Sequence, residues 1–145
     1  MIIRHSRPWI GEEEVAAVTA VLRVGELATG QKVRGFEAEI AERVGQRYGV
    51  ATSSGTAALH LALLGLGVGP GHEVVLPSYA CTAILNAVHH AGATPVLCDV
   101  DEETGNLDPD DARRRFTRHT RAVIVVHLFG HPAELDWVQS SDVPV

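Results

Sequence analysis

A chain of 145 residues, 46% apolar and 21% charged, is long enough for one domain with its own core and too apolar to stay disordered. Its net charge of -6 is uneven: residues 1–72 hold seven acids and seven bases, residues 73–145 eleven acids and five bases. That surplus of acid excludes nucleic acid as the main partner, and the apolar runs are too short to span a bilayer.

The start, Met1 to His5, has no apolar signal stretch, so the default expectation is a cytoplasmic protein without a membrane partner. Glu12 to Val24 predicts a helix, with acids in its first turn and Val15, Val18, Val21 and Leu22 as an apolar stripe. Gly25 ends it. Glu26 to Lys32 reads as a loop turned at Gly30. A second helix is expected from Val33 to Arg47, with Phe36, Ile40 and Val44 on one face and Gly49 closing it.

From there strands and helices alternate. Val50–Ser53 reads as a short strand. Thr56–Leu66 reads as a helix apolar nearly all round, hence buried. Glu73–Leu76 is a strand ended by Pro77, Ala80–Ala91 a helix and Thr94–Val100 a strand. Asp108 is an N-cap followed by Pro109 at the first helical position, with the helix continuing to about Phe116. Ala122–Val126 is the continuous apolar run of a strand buried on both faces. Leu135–Ser140 reads as a short helix and Val143–Val145 as the first residues of another strand. This alternation implies an α/β fold with a mostly parallel sheet and flanking helices, incomplete at the C-terminus. The expected division is an N-terminal helical segment, 1–48, and an α/β part, 49–145.

Candidate chemistry centres on Ser53-Ser54-Gly55-Thr56-Ala57-Ala58-Leu59, where an extended run turns into a helix. The first N–H groups of a helix lack partners and its dipole favours negative charge, so such a turn seats a phosphate. Ser and Thr also cap helices with no phosphate present, and that reading stays open. Gly65, Gly67, Gly69 and Gly71 fail the spacing of a dinucleotide-binding turn and follow a helix instead of preceding one; a helix cap and turn is the better reading. No lysine stands beside them, which excludes a P-loop. His127 and His131 straddle a strand end and a turn, not a helix face, and Cys81 and Cys98 form neither a disulfide framework nor a metal spacing, so no metal is expected. His127 alone stands at the carboxyl end of a central strand, where either a site residue or a structural histidine fits. His89 and His90 end a helix and complement its dipole, and Arg113-Arg114-Arg115 follow Asp108, Asp110 and Asp111 as a solvated helix face.

The run from Gly30 to Asp136 resembles the DegT/DnrJ/EryC1/StrS aminotransferases, which are pyridoxal-phosphate enzymes of fold type I. The resemblance rests on ordered pieces: Thr29-Gly30-Gln31-Lys32-Val33, Ser54-Gly55-Thr56-Ala57-Ala58-Leu59, Gly69 to Tyr79, Ala91-Gly92-Ala93-Thr94-Pro95-Val96, Asn106-Leu107-Asp108-Pro109 and His127 to Asp136. It implies that the chain is the N-terminal part of the large cofactor-binding domain. Gly55, Thr56 and Ala57 match the turn holding the phosphate of pyridoxal 5'-phosphate. Cys81 matches the position that packs on the cofactor ring, where relatives often carry an aromatic; a small buried residue at a helix start is the plainer reading. His127 is a further pocket candidate.

The Schiff-base lysine and the aspartate at the ring nitrogen match nothing here, because the only lysine, Lys32, lies well upstream of the phosphate turn and does not match the anchor. The resemblance therefore implies transfer of an amino group from glutamate to a keto-sugar nucleotide by the complete enzyme, as a homodimer or with a complementing chain, and no turnover by residues 1–145 alone. The alternative is a non-catalytic binding or regulatory half-domain that pairs with a full-length homologue. A stand-alone nucleotide-binding domain fits the fold but fails the glycine spacing.

Overall fold

A computed structural model of the chain describes residues 6–139 and 143–145; the expectations placed on residues 1–5 and on Ser140 lie outside the described residues. The chain divides into two compact units, Met1–Ala51 and Thr52–Val145.

In the first unit, α1 spans Glu12–Val24 as its pattern predicts. The Gly11 N–H donates to Glu14 Oε2 at 2.7 Å, so the acidic first turn satisfies an orphan donor as well as the dipole. Gly25, at φ +79°, ends the helix in the left-handed conformation. Helix α2 spans Gln31–Arg43, starting two residues before and ending four residues before the expected Val33–Arg47. The early start comes from Glu26, whose carboxylate accepts the Gln31 N–H at 2.9 Å and stands where a Cβ on residue 30 would be. Gly30 is thus an extended N-cap, not a turn, and Lys32 is helical. The early end comes from Gly45, at φ +68°. Gly49 does not close the helix; it passes so close to Glu37 that a Cβ would lie 2.5 Å from that carbonyl oxygen. The apolar stripes of α1 and α2 are solvent-exposed: α1 has no buried residue and α2 only Ala41.

Val50–Ser53 is not a strand. No strand pairs with it among the described residues, and the Ala51 N–H goes to Glu37 Oε1 at 2.9 Å. An extended segment becomes a strand only through a ladder partner, which local sequence does not supply.

In the second unit, α3 (Gly55–Gly65) leads to β1 (Glu73–Pro77), α4 (Thr82–His90), β2 (Thr94–Cys98), α5 (Pro109–Arg115), β3 (Thr120–Val123) and α6 (Asp136–Gln139). The three strands form a parallel sheet in the order β2-β1-β3, with Glu73 opposite Thr94 on one side and Val75 opposite Val123 on the other. Gly67 and Gly71, at φ +72° and +84°, make the turn between α3 and β1 that the glycine run predicts. Asp108 accepts the Asp110 N–H at 2.8 Å and caps α5 ahead of Pro109.

Strand β1 is buried on both faces. Val74 and Leu76 pack with Leu63 of α3, with Ile84, Ala87 and Val88 of α4, and with Ile124. Val75 faces the other way, onto Cys98, Leu107, Ala112, Val123 and Trp137. Helices α4 and α5 therefore cover opposite faces, as right-handed crossovers running in opposite directions along the sheet, β1 to β2 and β2 to β3, require. The expected all-round burial of α3 does not occur: only Leu63 is buried, because one face meets the sheet while Leu61 and Leu64 stay open. Strand β3 begins before Ala122 and ends before Val126, although Ile124 N–H still donates to Val75 O at 2.8 Å. Val143–Val145 forms no ladder; its one described backbone bond is Val123 N–H to Pro144 O, 2.9 Å, beside β3.

Asp111 is the one buried acid of the described residues. Its Oδ2 accepts the Asp99 N–H at 2.8 Å and Arg115 Nε at 3.1 Å, and its Oδ1 accepts Arg114 at 3.1 Å. The Asp99 N–H, more than the two guanidinium groups, holds its carboxyl below the ordinary aspartate range. Such a group stabilises the fold above the unfolded aspartate pKa of about 3.9 and loses that contribution as pH falls through its lower folded value. Asp111→Asn is therefore expected to lower the urea midpoint at pH 7 and to shrink the loss of stability below about pH 4. Leu76→Ala removes a side chain 1% exposed at the sheet centre and is expected to cost about 3 kcal/mol in the same unfolding assay.

Candidate functional site at the carboxyl ends of the strands

Because β1 lies between β2 and β3, the β1–β2 crossover runs one way along the sheet and the β2–β3 crossover runs back the other way. In an open parallel sheet this reversal makes a crevice at the carboxyl ends of the strands, here between β1 and β3. Helix α3 joins β1 through a short turn and packs on the sheet, so it runs antiparallel to β1 and its N-terminus lies at this same end.

That N-terminus is built by Ser54, in extended conformation, whose Oγ accepts the Ala57 N–H at 3.1 Å. Of the three candidate amides, Ala57 is thus already satisfied, whereas Gly55 and Thr56 donate to nothing among the described residues. Gly55 is exposed and no atom outside its own turn lies within 4 Å of where its Cβ would stand, so there is room for a ligand beside it. Two free N–H groups at the positive end of an eleven-residue helix favour a phosphate dianion.

Strand β1 exits through Ser78 and Tyr79 to Cys81, the N-cap of α4. Cys81 is exposed and makes no capping bond. It is therefore a small residue at a helix start, as the plainer reading held, but not a buried one. The other thiol, Cys98, is buried beneath the sheet end and donates to Leu76 O at 3.4 Å. Burial first, then the Asp111 charge, pushes it up to about 11.

The segment after β3 carries His127, then a tight turn over Leu128–Gly130, then His131. His127 Nδ1 accepts the Ala133 N–H at 3.0 Å, while its Nε2 has no partner among the described residues. The histidine is therefore both a structural clamp and a group with one nitrogen open. Among the described residues no three His, Cys, Asp or Glu side chains come together as a metal site. His89 and His90 lie exposed in the last turn of α4, and His90 meets the His60 ring edge-on at 5.7 Å. Arg113 pairs with exposed Asp110 on the solvated face of α5, whereas Arg114 and Arg115 reach to Asp111, which is buried and so does not belong to that face. A cleft of about 350 Å³ between the 101–107 and 131–134 loops is lined by Asp101, Glu103, His131 and Glu134. Its acids repel a phosphate, so the anion seat belongs to α3.

Asn106 entered the sequence reading only as one letter of a motif. In the structure it is buried, its Nδ2 donating to His131 O at 3.2 Å and its Oδ1 accepting Leu128 N–H at 3.0 Å. Those partners lie more than twenty residues downstream, so no local pattern marks the residue.

A family model described as the DegT/DnrJ/EryC1/StrS aminotransferase family matches residues 8–141. Among solved structures, the aminotransferase from Psychrobacter cryohalolentis is 38% identical at a TM-score of 0.86, covering 92% of this chain and 34% of that one. DesV from S. venezuelae, in complex with a ketimine intermediate, is 42% identical at 0.78, covering 88% of this chain and 36% of that one. NtdA from Bacillus subtilis, with its cofactor PMP bound, is 34% identical at 0.83, covering 90% and 31%. The chain thus spans about a third of the length of the structures it matches.

The two thiols are expected to separate in a labelling experiment. Iodoacetamide at pH 8 should modify Cys81 and leave Cys98 unmodified in the folded chain, read by peptide mass spectrometry, with both labelled in urea.

Proposed function

The chain belongs to the DegT/DnrJ/EryC1/StrS aminotransferase family, and from that premise we propose that it is the N-terminal part of an enzyme that moves an amino group from glutamate to a keto-sugar nucleotide. Its parallel sheet with flanking helices is the fold type I architecture of pyridoxal-phosphate aminotransferases. The observation that carries the proposal is the start of α3, where the Gly55 and Thr56 amides have no acceptor among the described residues and Gly55 has open space beside it.

These residues fit the phosphate of pyridoxal 5'-phosphate. Gly55 and Thr56 would donate their N–H groups to it, the Thr56 hydroxyl would add a third donor, and Ala57, tied to Ser54, fixes the turn. Cys81, at the head of α4, would line the ring side. His127, held through Nδ1, offers Nε2 as a hydrogen-bonding atom to the bound molecule. When bound, the cofactor supplies an electron-withdrawing ring that eases loss of a proton beside nitrogen. The single lysine, Lys32, lies on α2 along Ala17, Val18, Val21 and Leu22 of α1. The covalent anchor and the acid at the ring nitrogen therefore come, in this proposal, from residues other than these 145. The remaining parts of the proposal are an N-terminal helical segment 1–48, a cofactor-holding part 49–145, a dimeric or complemented assembly, and a cytoplasmic location. Among the described residues no helix is long and apolar enough to cross a membrane. The exposed apolar faces of α1 and α2 favour a second reading, a regulatory half that pairs with a full-length homologue.

Titration of pyridoxal 5'-phosphate into the chain tests the proposal. Binding is expected without borohydride-reducible attachment, with Cys81 shielded from iodoacetamide and with about tenfold weaker binding in Thr56→Ala, the loss of one charge-assisted hydrogen bond. Glutamate-dependent release of 2-oxoglutarate is expected only after adding a polypeptide that carries the lysine and the aspartate. Turnover by the chain alone would overturn that dependence, and failure to bind the cofactor would overturn the role of α3.

A further inference from the structure

We propose that Phe129 is a substrate-contacting residue and that Asn106 is the residue that positions it; this rests on the sugar-nucleotide aminotransferase reading and names part of its substrate contact. Phe129 is the one non-glycine of the described residues with positive φ, at φ 51° and ψ 23°. A left-handed backbone is costly for a bulky aromatic. Packing does not offset that cost within the chain, because the ring is 92% exposed.

The surroundings enforce the conformation. Buried Asn106 uses both ends of its amide on the turn, one on Leu128 N–H and the other on His131 C=O. The turn closes on itself through Gly130 N–H to His127 O, 3.0 Å, and His131 N–H to Leu128 O, 2.9 Å. Leu128 is seated against Gly105, where a Cβ would lie 2.8 Å from its Cδ2 and 3.8 Å from Tyr79 Cδ1. Gly105 is itself left-handed, at φ +69°. The segments following β1, β2 and β3 thus converge on residue 105. Tyr79 and Phe129 both remain exposed there, at the carboxyl ends of the strands.

A strained, exposed ring held by a buried amide at a ligand-binding edge is arranged for a partner outside the chain. Its flat apolar face suits the base or the sugar ring of a nucleoside diphosphohexose, whose stacking requires no hydrogen-bond match. Asn106 touches neither; it acts by holding the turn.

The test uses the whole chain with thymidine and uridine diphosphoglucose as probes and saturation-transfer NMR as readout. Phe129→Asn removes the ring and places a residue that tolerates left-handed backbone. The expected result is a melting temperature raised by about 3 °C, with sugar-nucleotide affinity reduced at least tenfold and pyridoxal-phosphate affinity unchanged. A residue with only a structural role would not raise stability while losing ligand. Asn106→Asp, which keeps the acceptor for Leu128 and loses the donor to His131, should expose the bond after Phe129 to chymotrypsin and weaken the same probes; Asn106→Leu should do so more strongly. Unchanged probe affinity in Phe129→Asn overturns the contact, and so does a change in sedimentation with no change in probe affinity, which would make Phe129 a protein-contact residue. If the wild-type chain binds pyridoxal 5'-phosphate but neither probe, the contact fails and the aminotransferase reading stands; if it binds none of the three, that reading fails too.

Discussion

The second unit is organised by the burial of β1 on both faces and its pairing on both edges. A five-residue strand in that position has no polar escape: Val74, Val75 and Leu76 are each at most 1% exposed. Alternate side chains point to opposite faces, so apolar cover is needed above and below at once. That need places α3 and α4 on one face and α5 with Trp137 on the other. The same arrangement sends the two crossovers in opposite directions and opens the crevice where the candidate residues stand. The location of the site is a consequence of how the core is filled.

Around that crevice the backbone is irregular, and side chains take over the work of ladders. Irregular segments still carry N–H and C=O groups that need partners when buried. Asp111 serves the N–H of Asp99, Asp101 serves Glu103 and Thr104, Ser54 serves Ala57, His127 serves Ala133, and Asn106 serves Leu128 and His131. Two of the eleven acids of residues 73–145, Asp101 and Asp111, are used this way. The charge asymmetry is therefore partly a record of loops held by carboxylates. Asp101, bonded first to the Thr104 hydroxyl and also to its N–H, is held below the ordinary aspartate range for that reason.

The first unit behaves differently. Its two helices have the caps, dipole-matched charges and apolar stripes of ordinary amphipathic helices, yet Val15, Val18, Leu22, Phe36 and Val44 are all more than half exposed. Helix formation depends on interactions within a few residues, whereas covering the stripe depends on what lies opposite. What lies opposite the stripes of α1 and α2 leaves them exposed.

The sequence by itself determined the features that close neighbours decide. The bounds of α1, the Asp108–Pro109 cap, the parallel α/β class and the glycine turn before β1 all follow from caps, periodicity and backbone permissiveness within one or two turns of chain. Ordered motif pieces were enough to mark the family that the match over residues 8–141 shows. Tertiary structure decided what depends on distant partners. Val50–Ser53 reads as a strand but finds no ladder; Cys81, buried in its plainer reading, lies open; α3 is apolar all round yet covered on one face. The occupation of the Ala57 amide by Ser54, and the clamp of Asn106 on a turn more than twenty residues away, were equally out of reach of local pattern. The physical reason is common to them all. Local conformation is set by short-range sterics and hydrogen bonds, whereas burial, strand identity and the presentation of a functional side chain depend on which distant groups the folded core brings alongside.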